Sequence, residues 1–185
     1  MCPSRAYHLA MSRPIAFVLM VLLAALPAGA APPASITMAE AVPFASDVAG
    51  EVGLLAPGGT TNNIEQRCNL PQTFSQAIAA QLRKKGIEVA ITAKPEAATG
   101  PVLNVIIEGV LGYSGAWKGP KTLVLRGELR DGETLLGSFV VRKEYSFGGI
   151  FKNSCEEFAA LGEKAAVDIG KWAQAPKVRA RLGSA

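Results

Sequence analysis

Histidine is the scarcest side chain of this 185-residue sequence, and its single copy, His8, stands in a segment that reads as a removable leader. Without it the exported part has no imidazole, which closes Ser-His-Asp and Cys-His nucleophilic systems, histidine metal triads and imidazole pH switching. Cysteine is nearly as sparse: Cys2 falls in the same leader, leaving Cys68 and Cys155. Two thiols without histidine supply too few soft ligands for tetrahedral zinc, so no metal is expected. Long apolar runs are missing too. The longest, residues 15–26, spans about 12 positions against the ~20 that a membrane-crossing helix requires, so no membrane span is expected. Gly148-Gly149 lacks the following Lys-Ser/Thr of a phosphate loop, and no repeat of 20 to 50 residues is visible. No catalytic residue and no cofactor are expected.

What is present begins with an export signal. Arg5 and Arg13 precede the apolar run and Ala28-Gly29-Ala30 offers a small-residue cleavage site, so residues 1–30 read as a signal peptide and the protein as periplasmic or secreted. No cysteine stands close behind that site, and a lipid-modified amino terminus is not expected. Cleavage removes two arginines and no acid, leaving 17 basic side chains against 15 acidic ones, a net charge of +2. A nucleic-acid partner would need a larger basic face and a cytoplasmic address. The densest basic run, Arg83-Lys84-Lys85, is explained by the negative end of a helix dipole.

The remaining 155 residues suit one domain. Residues 31–35 read as a flexible tether, 36–174 as the domain and 175–185 as a basic tail that frays. Residues 36–44 read as an edge strand, where Pro43 is tolerated, and the turn formers of 56–63 as a surface loop. Asn69 is placed to cap a helix with Pro71 in its first turn and an apolar stripe of Leu70, Phe74, Ile78 and Leu82, ending at Lys84-Lys85-Gly86. Ile87, Val89 and Ile91 alternate as a strand, followed by a loop over 94–100 and a long strand over 102–113. Leu123, Leu125 and Leu129 mark another strand, Asp131-Gly132 a hairpin turn, and 134–147 the return. Ser154 and Glu157 form a capping box opening a helix with the stripe Phe158, Leu161, Ala165, Ile169 and Trp172, closed by Pro176. The expected fold is α+β in two layers, a mostly antiparallel sheet of four to five strands with two helices on one face.

Cys68 and Cys155 each precede or open a predicted helix in a compartment that oxidises thiols, so a disulfide between them is expected, with a reactive thiolate at a helix start as its rival. For binding, residues 112–121 combine Tyr113, Trp117, Lys118 and Lys121 with three glycines between strands, and residues 145–152 set Phe147 and Phe151 around a Gly pair. Aromatic side chains on loops held by a rigid sheet are common recognition elements. The helix end Leu82-Arg83-Lys84-Lys85-Gly86, the strand over 102–109, the hairpin, the Gly148-Gly149 loop and the Ala-rich last helix together resemble small exported bacterial domains related to the amino-terminal domain of TolB and the curli secretion-channel family. The resemblance covers residues 36–174. It implies a non-catalytic envelope module that binds or helps assemble another periplasmic or outer-membrane protein. Two alternatives stand beside it: a thiol- or carboxylate-dependent envelope enzyme, and a subunit of a larger envelope oligomer pairing through a sheet edge.

Overall fold

The computed structural model of the chain describes residues 32–45, 68–112, 121–145 and 154–183. Among them the elements run β1 (Ser35–Ala39), α1 (Leu70–Lys84), β2 (Glu88–Thr92), a 3-10 turn (Pro95–Ala97), β3 (Pro101–Gly112), β4 (Lys121–Asp131), β5 (Thr134–Tyr145), α2 (Ser154–Ala173) and β6 (Ala180–Leu182). The fold is α+β, with the strands in the order β2-β1-β3-β4-β5-β6.

This sheet departs from expectation in two ways. It has six strands rather than four or five, and it is mixed: β3/β4 and β4/β5 are antiparallel, whereas β1/β2, β1/β3 and β5/β6 are parallel. The cause is the helices. A helix about as long as the strand before it carries the chain back to the end where that strand began, so the next strand runs parallel. α1 does this between β1 and β2, and α2 between β5 and β6. β1 is consequently an interior strand instead of an edge, and Pro43 lies past its end, where its carbonyl accepts the Ile107 amide (2.8 Å) and no ladder donor is lost. The tail expected to fray contains β6, whose Ala180, Arg181 and Leu182 pair with Phe139, Val140 and Val141.

α1 ends as its sequence predicts. The Ile87 amide reaches the Leu82 carbonyl (3.1 Å) and the Gly86 amide that of Arg83 (3.0 Å), with Gly86 at φ 78, a Schellman closure. Its start is different. Asn69 adopts a left-handed backbone (φ 46) and its side chain caps nothing; instead its carbonyl accepts both the amide and the hydroxyl of Thr73. Asparagine is among the few residues that tolerate this conformation at modest cost.

Alternation in the strands builds one core. Leu103, Val105, Ile107, Leu123, Leu125, Leu129, Phe139 and Val141 turn to one face and join Phe74, Ile78, Leu82, Phe158, Leu161 and Ile169 of the helices in a single cluster. Both helices therefore cover the same face. Among the close approaches that need glycine, Gly162 leaves room for the Phe74 ring where α2 meets α1, and Gly127 lies under the Phe139 ring. Phe139 in turn meets Trp172 edge-on at 4.7 Å.

Candidate functional site at the stapled end of the sheet

Strand directions decide which chain ends share a pole of the molecule. β3 ends, β4 begins and β5 ends on the same side, since Gly112 is in register with Lys121 and Lys121 with Tyr145. α1 and α2 also begin there, because Cys68 and Cys155, at their starts, are joined in a disulfide with Cα atoms 5.0 Å apart. The segment after β1 arrives as well: Val42 donates to the Pro71 carbonyl (3.0 Å), and Ala45 to that of Ile107 (2.9 Å). Residues 46–67, 113–120 and 146–153 thus all attach at this one pole.

The disulfide spans 87 residues of sequence, a closure that stabilises by about 4–5 kcal/mol when counted as lost freedom of the unfolded chain. The thiolate rival has no free sulfur in this state.

Two residues beyond Cys155, Glu157 of α2 takes part in an ion pair. Lys121 Nζ sits 2.8 Å from Glu157 Oε2, with side chains 0% and 2% exposed. Among the described residues this contact is the only partner of either charge. Its position corrects two expectations. Lys121, read as part of an exposed binding loop, is the first residue of β4 and is buried. Glu157, read as the returning half of a capping box, points instead into the core and meets Lys121. The same periodicities that found the core carry both signals: Lys121, Leu123 and Leu125 alternate onto one face, and Glu157, Leu161 and Ala165 recur at four-residue steps. Their charge masked them, because such residues are rarely fully buried unless paired. Nearby, the Lys164 ammonium stands 4.2 Å over the Tyr145 ring.

Tyr113, Trp117, Lys118, Phe147 and Phe151 lie outside the described residues, as do residues 1–30, read as a leader, and 56–63, read as a surface loop. What the described part settles is their anchorage: Gly112, Lys121, Tyr145 and Ser154, the residues from which those segments spring, all belong to this pole. Elsewhere a shallow groove of 610 Å³ runs between α1 and α2, lined by Ala77, Gln81, Lys84, Glu163, Lys164 and Val167 among others. Among the described residues no cluster of three His, Cys, Asp or Glu side chains is disposed to hold a metal, and no helix is long and apolar enough to cross a membrane.

No protein-family model matches the chain, and no curated protein matches it. Several solved structures share its outline. PelC from Paraburkholderia phytofirmans, crystallised as a dodecamer, is 12% identical with a TM-score of 0.46, over 81% of this chain and 94% of that one. A Xanthomonas campestris protein of the DUF330 family is 11% identical (TM-score 0.45; 80% and 84% covered). A minor lipoprotein from Acinetobacter baumannii is 10% identical (TM-score 0.44; 78% and 97% covered). At this identity and overlap the likeness is one of outline and assigns no task.

Proposed function

We propose that the protein is an exported, non-catalytic module that binds another protein of the cell envelope at the disulfide-stapled pole. The observation that carries this reading is convergence. Three chain segments, two of them bearing the aromatic residues Tyr113, Trp117, Phe147 and Phe151, spring from one end of the domain, where a covalent bridge joins the two helix starts and a buried ion pair ties α2 to β4. A rigid scaffold presenting loops at one end is a common arrangement for recognition. Reactive groups are poorly placed for catalysis by comparison: both thiols are consumed in the bridge, and Glu157 is spent on Lys121. A cleaved leader and a periplasmic or secreted location belong to the same reading, as does kinship with the TolB amino-terminal domain and the curli channel family.

Recovery of a partner from envelope extract tests it, with Trp117→Ala compared against Glu133→Ala at the opposite hairpin. The proposal expects loss of the partner with the first variant and full recovery with the second. Equal recovery by both removes the pole from the account.

One observation favours a second reading, self-association through an edge. β2 is a short outer strand, and among the described residues no further strand pairs with its far side, where the Val89 carbonyl accepts from the Arg83 guanidinium at 2.9 Å. Light scattering on the purified protein distinguishes them: a monomer retires the oligomer reading, and a defined higher mass supports it.

A further inference from the structure

The face of the sheet away from the helices carries an uneven charge. Register places Ile106, Arg126, Val140 and Arg181 in one row across β3, β4, β5 and β6. Arg130 and Arg142 stand on the same face two or four residues along their strands. Glu108, Glu128 and Glu144 partner Arg126, Arg130 and Arg142 in exposed ion pairs. Such pairs exchange readily, being worth little in water. Arg181 has no acidic partner among the described residues, and neither has Arg179 or Lys177 beside it. The surplus is local for a reason visible in the sequence. Residues 31–174 hold 14 basic and 15 acidic side chains, so the whole positive excess of the exported part lies in Lys177, Arg179 and Arg181.

Docking turns that tail into a surface. The Ser138 amide donates to the Lys177 carbonyl (3.1 Å), and so does the Trp172 indole (3.1 Å). The Arg179 amide donates to Ser138 Oγ (2.9 Å). These contacts pin the three cations to the β5 edge. In the same row as Arg126 and Arg181 sits an exposed apolar side chain, Val140 at 38%. Among the described residues the grooves lie between the helices and beside β2, away from these cations, whose row is spread over neighbouring strands.

We infer that the β4-β5-β6 face is a contact surface for an anionic lipid bilayer, its arginines meeting phosphate headgroups and Val140 touching the interface. A basic row spread across neighbouring strands, with an exposed valine in it, matches a charged plane better than a discrete anion. Guanidinium groups suit phosphate through their planar donor fork.

Vesicle co-sedimentation tests this, using phosphatidylcholine vesicles with and without phosphatidylglycerol. Each basic side chain at an anionic surface contributes on the order of a tenfold or smaller factor, so Arg179→Gln with Arg181→Gln should weaken binding to the anionic vesicles about thirty-fold. The Lys pair at the same positions should bind within a few-fold of the original. Arg126→Gln with Arg142→Gln, away from the tail, should also weaken binding, which keeps the test decisive if the tail variant loses β6. Equal binding to neutral vesicles, or no effect of either Gln pair, overturns the inference. So does displacement by inorganic phosphate beyond that by chloride at equal ionic strength, the mark of a free-anion site.

Discussion

At the scale of single residues, the arrangement with most at stake is Lys121 against Glu157. Both are removed from water, and their attraction has to offset two desolvation penalties. Removing one partner leaves an uncompensated buried charge, so Lys121→Met is expected to destabilise by about 3 kcal/mol or more, read as a lowered urea midpoint at constant m. Lys121→Met combined with Glu157→Leu removes both charges and should regain most of that loss, because a well-packed apolar pair is often as stable as the ion pair it replaces. Additive losses in the double variant would show that the two side chains do not face each other. A second residue-scale expectation concerns Gly162, whose missing side chain admits the Phe74 ring. Gly162→Val should cost about 1–3 kcal/mol by overpacking, and Gly170→Ala, where the nearest atoms of Gln81 stand at 3.4 Å, markedly less.

At the scale of elements, α1, α2 and the β4/β5 hairpin were legible because their signals are local. The helices announce themselves by three- and four-residue steps, and Asp131-Gly132 by its tolerance of positive φ, seen at Gly132 (φ 55). β1 was legible as a strand but not as an interior one, and β6 not at all, since what makes a strand interior or parallel is the route of the chain between strands. Residues 178–182 do alternate, Val178, Ala180 and Leu182 against Arg179 and Arg181, yet their charge and terminal position read as a loose tail. The candidate site divides the same way. The disulfide followed from two cysteines at two helix starts, whereas the burial of Lys121 required extending each period one step into charged residues. Deleting residues 176–185 tests the weight of β6. Pro176 and the Lys177 carbonyl close over Gly137 and Trp172, so the truncation should lower the thermal midpoint by several degrees while the helical circular dichroism of α1 and α2 persists at low temperature. An unchanged midpoint would make β6 an ornament of the edge.

At the scale of the whole molecule, one end of the sheet differs from the other. The far end closes with tight connections: the Asp131-Gly132 hairpin, the Schellman end of α1 and the turn of Pro176. The near end gathers three longer segments and ties the two helix starts together. Cys68→Ser with Cys155→Ser is expected to cost about 4 kcal/mol of stability and to leave the strands and helices in place, as denaturant unfolding would read it. Loss of stability by less than about 1 kcal/mol would show that the bridge is dispensable to the fold. The central claim is that the near end meets the partner and the far end does not. Photo-crosslinking in living cells tests it most directly, with a photoreactive side chain placed in turn at positions 117 and 133. The account predicts a discrete covalent adduct with one envelope protein from position 117 and none from position 133. Adducts from 133 alone, or the same adduct from both, would contradict it.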